Sequence, residues 1–207
     1  MNKQTKIIGT LLGAALAAAS GVALAESTYG YSAAGTGAVS ANASVNLRVA
    51  VPKLILLRVG SQTAVDEITW TNTRSWSTSP TTLVDGNNQA ANWDGVAPSL
   101  SITSTTNALA VYAWHNGGAA GATLTFTGTA FTPAGGPTLT NITVADTALG
   151  TGTAIAHPGA NLGTATAQNL TTNTLYSRTW TYTLGGTPAS WAAGTYSGSV
   201  TYTATTL

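Results

Sequence analysis

The chain contains no cysteine and very few charges. The first absence excludes disulfide staples, thiol nucleophiles and cysteine-ligated metal centres, so the fold must hold by packing alone. Charged residues make up 6% of the 207 positions, against roughly 25% in an average soluble protein. Seven basic residues face six acidic ones. No basic patch exists to supply phosphate affinity, which argues against a nucleic-acid partner. So little charge also removes the usual repulsion between copies, and the composition points to self-association.

Groups able to do chemistry are equally scarce. The histidines are His115 and His157, and the acids are Glu26, Asp66, Glu67, Asp85, Asp94 and Asp146. His115 precedes Asn116-Gly117-Gly118 and His157 precedes Pro158, so both are expected in turns rather than in a triad or a zinc site. Asp66 and Glu67 are adjacent and would point to opposite faces of a strand, which prevents them from flanking one scissile bond. Asp85-Gly86-Asn87-Asn88 reads as a turn, because it lacks the spacing and terminal Glu of a calcium loop. No phosphate-loop, dinucleotide or nucleophile-elbow pattern occurs. We therefore expect no catalytic, cofactor-binding or metal-binding residue, no cofactor, and a protein that is not an enzyme.

Hydroxyls, amides and small side chains fill the space that charge leaves, while hydrophobic content stays at 43%. That balance suits pleated, half-exposed surfaces better than disorder. The N-terminus has Lys3 and Lys6, an apolar stretch over 7–19, and Ala23-Leu24-Ala25. This is the pattern of a secretory signal peptide over 1–25. Its removal would leave five basic and six acidic residues, a net charge of −1. Residues 26–38 are small, polar and Gly-rich, and read as a flexible segment. No span of the remaining chain is long and apolar enough for a membrane helix.

Periodicity predicts an all-β, antiparallel sandwich over 39–207. Across 39–49 every odd position is apolar (Val39, Ala41, Ala43, Val45, Leu47, Val49), and the even ones are polar. This is a first strand or a strand donated to another copy. The run Leu54-Ile55-Leu56-Leu57 predicts a strand buried on both faces. Further strands are expected at 65–70, 100–104, 109–114, 122–127, 139–144, 175–184 and 195–203. Tyr196, Gly198, Val200 and Tyr202 share one face of the last. Residues 71–98 read as a long loop, with one short strand at 81–84. Of the six tryptophans, Trp70, Trp114 and Trp180 fall in strands as core residues, and Trp191 is expected to cover the sandwich edge. Trp76 and Trp93 lie in the loop, either stacking on a ligand such as a sugar or packed beneath the loop.

Two segments carry a family resemblance. Near the start is Val39-Ser40-Ala41-Asn42-Ala43-Ser44-Val45, and near the end is Ala193-Gly194-Thr195-Tyr196-Ser197-Gly198-Ser199-Val200. Together they resemble chaperone–usher pilins, in particular the cysteine-free subunits of the colonisation-factor class. The sequence departs from that pattern at the penultimate residue, Thr206, where such subunits carry an aromatic. The resemblance implies an incomplete immunoglobulin-like sandwich of about seven to nine strands. It implies a donor face of Val39, Ala41, Ala43, Val45 and Leu47, and a C-terminal edge strand with Gly194, Tyr196, Val200 and Tyr202. It further implies export through the periplasm to the cell surface, a periplasmic chaperone, an outer-membrane usher, and assembly into a fimbria. The alternative is a stand-alone secreted module that binds carbohydrate or another surface ligand.

Overall fold

In a computed structural model the described residues are 27–78 and 82–207. The leader read at 1–25 lies outside them. The chain divides after Val51 into two units, later than the 38/39 boundary read from the sequence.

The first unit, over its described residues 27–51, contains no strand. A turn closes at Gly35, whose N–H donates to Ser32 O at 3.2 Å. Thr28 is tied to Asn42 twice: its hydroxyl donates to Asn42 O (2.6 Å) and accepts from Asn42 N–H (2.8 Å). The alternating segment 39–49 joins no ladder, although its pattern predicts a strand. Its larger apolar side chains stand in solvent, with Val45 78% and Leu47 90% exposed.

The second unit is all-β and antiparallel. Its strands are β1 (Ile55–Val59), β2 (Trp70–Ser75), β3 (Ser99–Ser104), β4 (Ala108–His115), β5 (Ala122–Thr132), β6 (Ile142–Ala148), β7 (Gln168–Leu170), β8 (Tyr176–Leu184) and β9 (Ser197–Thr206). They form a four-stranded sheet ordered β1-β4-β8-β6, a three-stranded sheet ordered β7-β5-β9, and a separate β2–β3 pair. One apolar core draws on both larger sheets: Val111 and Ala113 of β4, Trp180 and Tyr182 of β8, Leu124 and Phe126 of β5, and Leu170 of β7. Two sheets closing on a shared core make a β-sandwich.

Alternation explains most of these elements. In β5, Ala122, Leu124 and Phe126 are buried, and their cross-strand partners on β9 are Thr206, Ala204 and Tyr202. Threonines occupy the intervening positions, Thr123 and Thr125 opposite Thr205 and Thr203, where a β-branched hydroxyl residue suits a half-wet surface.

Several expectations change. Of the strand expected at 65–70, only Trp70 is in a strand. Residues 54–57 are not buried on both faces, because β1 is a sheet edge and leaves Leu54 and Leu56 about half exposed. The loop read over 71–98 begins as strand β2, paired to β3 from Trp70↔Ser104 to Ser75↔Ser99. Among the described residues 82–84 there is no strand. Trp114 is only half-buried, for it alternates with the buried Ala113 and His115.

The turn after β1 depends on one glycine. Gly60 has φ of +77°, and a Cβ there would overlap the Asp66 carboxylate. That carboxylate accepts the Ser61 N–H at 2.6 Å. We expect Gly60→Ala to lower stability by more than about 1 kcal/mol, read from the midpoint of denaturant unfolding.

Candidate functional site

The feature that stands out is the seam between the first and last strands. β1 ends one sheet and β9 ends the other. They approach within 8 Å, Cα to Cα, yet no ladder joins them. Each presents a stripe of half-buried core-facing side chains: Ile55, Leu57 and Val59 on one wall, Val200, Tyr202 and Ala204 on the other.

The register shows where the backbone groups of these walls point. Gly60 N–H donates to Ala110 O (2.7 Å), and Asn116 N–H to Leu54 O (3.1 Å). Even positions of β1 therefore bond to β4, and Ile55, Leu57 and Val59 turn their N–H and C=O away from it. On β9, Leu207 N–H donates to Gly121 O at 3.0 Å. Odd positions thus bond to β5, and Val200, Tyr202 and Ala204 turn theirs outward. On both walls the residues that face the core also carry the free backbone groups, a template for another strand.

Behind the β9 wall lies a buried hydrogen-bond chain that the sequence did not disclose. His157 Nδ1 is 2.6 Å from Gly159 O, and Nε2 is 2.8 Å from Tyr202 Oη. Tyr202 Oη is 2.9 Å from Tyr182 Oη. A carbonyl only accepts, so Nδ1 carries the proton and Nε2 accepts from the Tyr202 hydroxyl. Tyr182 then donates to Tyr202. Burial lowers the His157 pKa, partly offset by the bond to Gly159 O, and so favours the neutral ring assigned here. Burial pushes the Tyr182 pKa up to about 12. Burial, with the neighbouring Tyr182, also raises that of Tyr202. Phe126 and Trp180 pack on the imidazole at centroid distances of 5.1 and 4.9 Å.

His115 plays a comparable part farther along. Gly117 N–H donates to its Nδ1 at 3.1 Å, so Nε2 carries the proton and donates to Leu170 O at 3.0 Å. This bond ties β4 of one sheet to β7 of the other. Both histidines are buried, and His115 ends strand β4 rather than lying in the turn that its neighbours suggested. The turn at 157–159 exists, with Gly159 N–H donating to His157 O at 2.8 Å, but the ring points inward.

The other singled-out residues are dispersed. Val39, Ala41, Ala43, Val45 and Leu47 lie in the first unit, exposed and outside any strand. Val200 and Tyr202 lie on β9, but Gly194 and Tyr196 precede it. Tyr196 instead donates its hydroxyl to Ala192 O at 2.6 Å. Trp76 and Trp93 both sit near Val96 in the β2–β3 connection, and Trp191 is half-buried beside Gly186. Among the described residues no three His, Asp or Glu side chains gather as metal ligands, and no helix is long and apolar enough to cross a membrane.

Fold and seam together define an all-β antiparallel sandwich with two facing, unladdered sheet edges. No protein family matches the chain, and no curated protein or solved structure shows significant similarity to it.

Proposed function

We propose that the chain is an extracellular structural subunit that assembles by strand complementation, with residues 39–49 of one copy entering the β1–β9 seam of the next. The observation that carries this reading is the pairing of two unfinished surfaces. One is a seam whose core-facing residues hold free backbone groups. The other is a segment whose apolar residues alternate at strand period yet lie exposed and unladdered. Strand addition satisfies both, since ladder bonds give affinity and alternate side chains fill the gap. Burying Val39, Val45 and Leu47 would contribute about 1.5–3 kcal/mol each before the cost of ordering the segment. An inserted strand needs about 9.5 Å between its neighbours, so the seam must spread where β1 and β9 lie closer than 8 Å. Spreading needs a partner to hold the open form, a role suited to the periplasmic chaperone and usher that the pilin resemblance implies. The destination would be a fimbria-like filament or layer on the cell surface.

The test compares the chain from Glu26 onward with one that begins at Arg48. Full-length material should run as ladders on an unboiled detergent gel, and the truncated form as a monomer with a lower unfolding temperature. A synthetic peptide spanning 37–49 should restore that temperature. Full-length protein that stays monomeric at every concentration, with no response to the peptide, would overturn the proposal.

A further inference from the structure

The β2–β3 hairpin takes no part in the seam, and it carries an indole that stability does not account for. Trp93 is 60% exposed. Its ring is nonetheless fixed, because Nε1–H donates to Val96 O at 2.7 Å. The neighbouring Asp94 braces the same turn: Oδ1 accepts the Val96 N–H at 2.9 Å, and Oδ2 accepts the Ser77 hydroxyl at 3.3 Å. Val96 also helps to line a cavity of about 190 Å³ with Trp76, Ser77, Ala97 and Ser99. One residue thus braces the exposed indole through its backbone and joins it to a small cavity walled by a second, half-buried indole.

The chemistry of this shelf selects its ligand. Across 70–104 the charged residues are Arg74, Asp85 and Asp94, and both oxygens of Asp94 are engaged. No charged patch is on offer to an anion or a cation. The Ser77 hydroxyl already donates to Asp94 and the Ser99 hydroxyl to Ser75 O at 3.0 Å, so what each keeps for a ligand is an accepting oxygen, which a purely apolar partner would leave dry and unpaired. The fitting ligand has one apolar face for the indole and a rim of hydroxyls for the serines, which describes a pyranose ring. The cavity is smaller than the roughly 300–1,000 Å³ of drug-sized clefts, so it suits one sugar unit rather than a long chain. A preordered indole also loses little entropy on binding. We infer that Trp93 and the Trp76 cavity form a binding site for a neutral sugar unit of a glycan. This inference does not depend on strand donation and would hold for a monomer.

The test titrates the full chain with cellotetraose, maltotetraose, mannotetraose, lactose and N,N′-diacetylchitobiose, followed by calorimetry and by tryptophan emission. At least one sugar should give saturable heat and an emission change. Trp93→Ala should weaken that affinity about three- to tenfold and leave the unfolding temperature unchanged, as expected of an exposed side chain. Trp93→Tyr should restore part of the affinity. Saturable binding by none of the sugars would overturn the inference, and so would binding that Trp93→Ala leaves intact.

Discussion

Trp180→Ala should remove a large share of the stability of the sandwich. Trp180 is 0% exposed and is the largest fully buried side chain. It lies against His157 and Tyr202 at centroid distances of 4.9 and 5.1 Å. Its indole N–H donates to Ile155 O at 3.1 Å. The substitution leaves both a large cavity and an unpaired buried carbonyl. Together they should cost about 3–5 kcal/mol, against a total of about 5–15 kcal/mol for a typical domain. Urea unfolding followed by far-ultraviolet dichroism measures the loss. Trp180→Phe should lose less, because it keeps most of the packing and forfeits the hydrogen bond. Equal losses in the two variants would mean that the Ile155 bond dominates rather than the volume.

The second large effect is a fall in stability with acid that begins near neutrality. His157 titrates below its ordinary value of 6.5 in the folded protein. Between those two points the unfolded chain holds a proton that the folded chain does not. Stability is therefore complete above pH 6.5, falls as the pH drops below it, and levels off under the folded pKa. The slope is at most about 1.4 kcal/mol per pH unit for one proton. The groups packed around the ring are Phe126, Trp180, Tyr182 and Tyr202, none of which supplies a negative charge at these pH values. Protonation would also turn Nε2 from acceptor to donor, so the Tyr202 hydroxyl would have to redirect its proton toward Tyr182. Subtracting the pH profile of His157→Gln from that of the parent isolates this contribution from the carboxylates. The difference should be flat above pH 6.5 and should decline beneath it, whereas a difference that is flat throughout would exclude His157 as the cause.

How much of this was legible beforehand depended on whether a strand had one dry face. β8 and β9 alternate apolar and polar residues and β4 is a bounded apolar run, and the reading placed each to within a few residues. β2 was missed because Trp70-Thr71-Asn72-Thr73-Arg74-Ser75 has one apolar residue, its first, and the other five are exposed. With only three residues, β7 is too short for any period to show. Leu54-Ile55-Leu56-Leu57 looked like a central strand, but apolar content cannot reveal that β4 pairs one side of it and, among the described residues, no strand pairs the other. The buried partners of His157 were hidden for a related reason. His157-Pro158-Gly159 does make a turn, but no local signal reports that Tyr202, 45 positions away, waits to receive its ring. The alternation across 39–49 was plain, while the absence of a ladder there needed coordinates.

The parity of the two seam walls limits how any strand can lie between them. An inserted strand sends the backbone groups of its inward residues to one wall and those of its outward residues to the other. On both walls the free groups belong to inward residues. Regular pairing then requires the inserted strand to run antiparallel to one wall and parallel to the other. That is possible only if the walls oppose each other in direction, and they do. Leu54 pairs with Asn116, and a side chain at the adjoining Gly117 would strike Thr206, so β1 starts where β9 ends. The same parity lets β1 and β9 pair directly with one another. A vacant subunit thus has a way to zip itself shut, and any incoming strand competes with that closure.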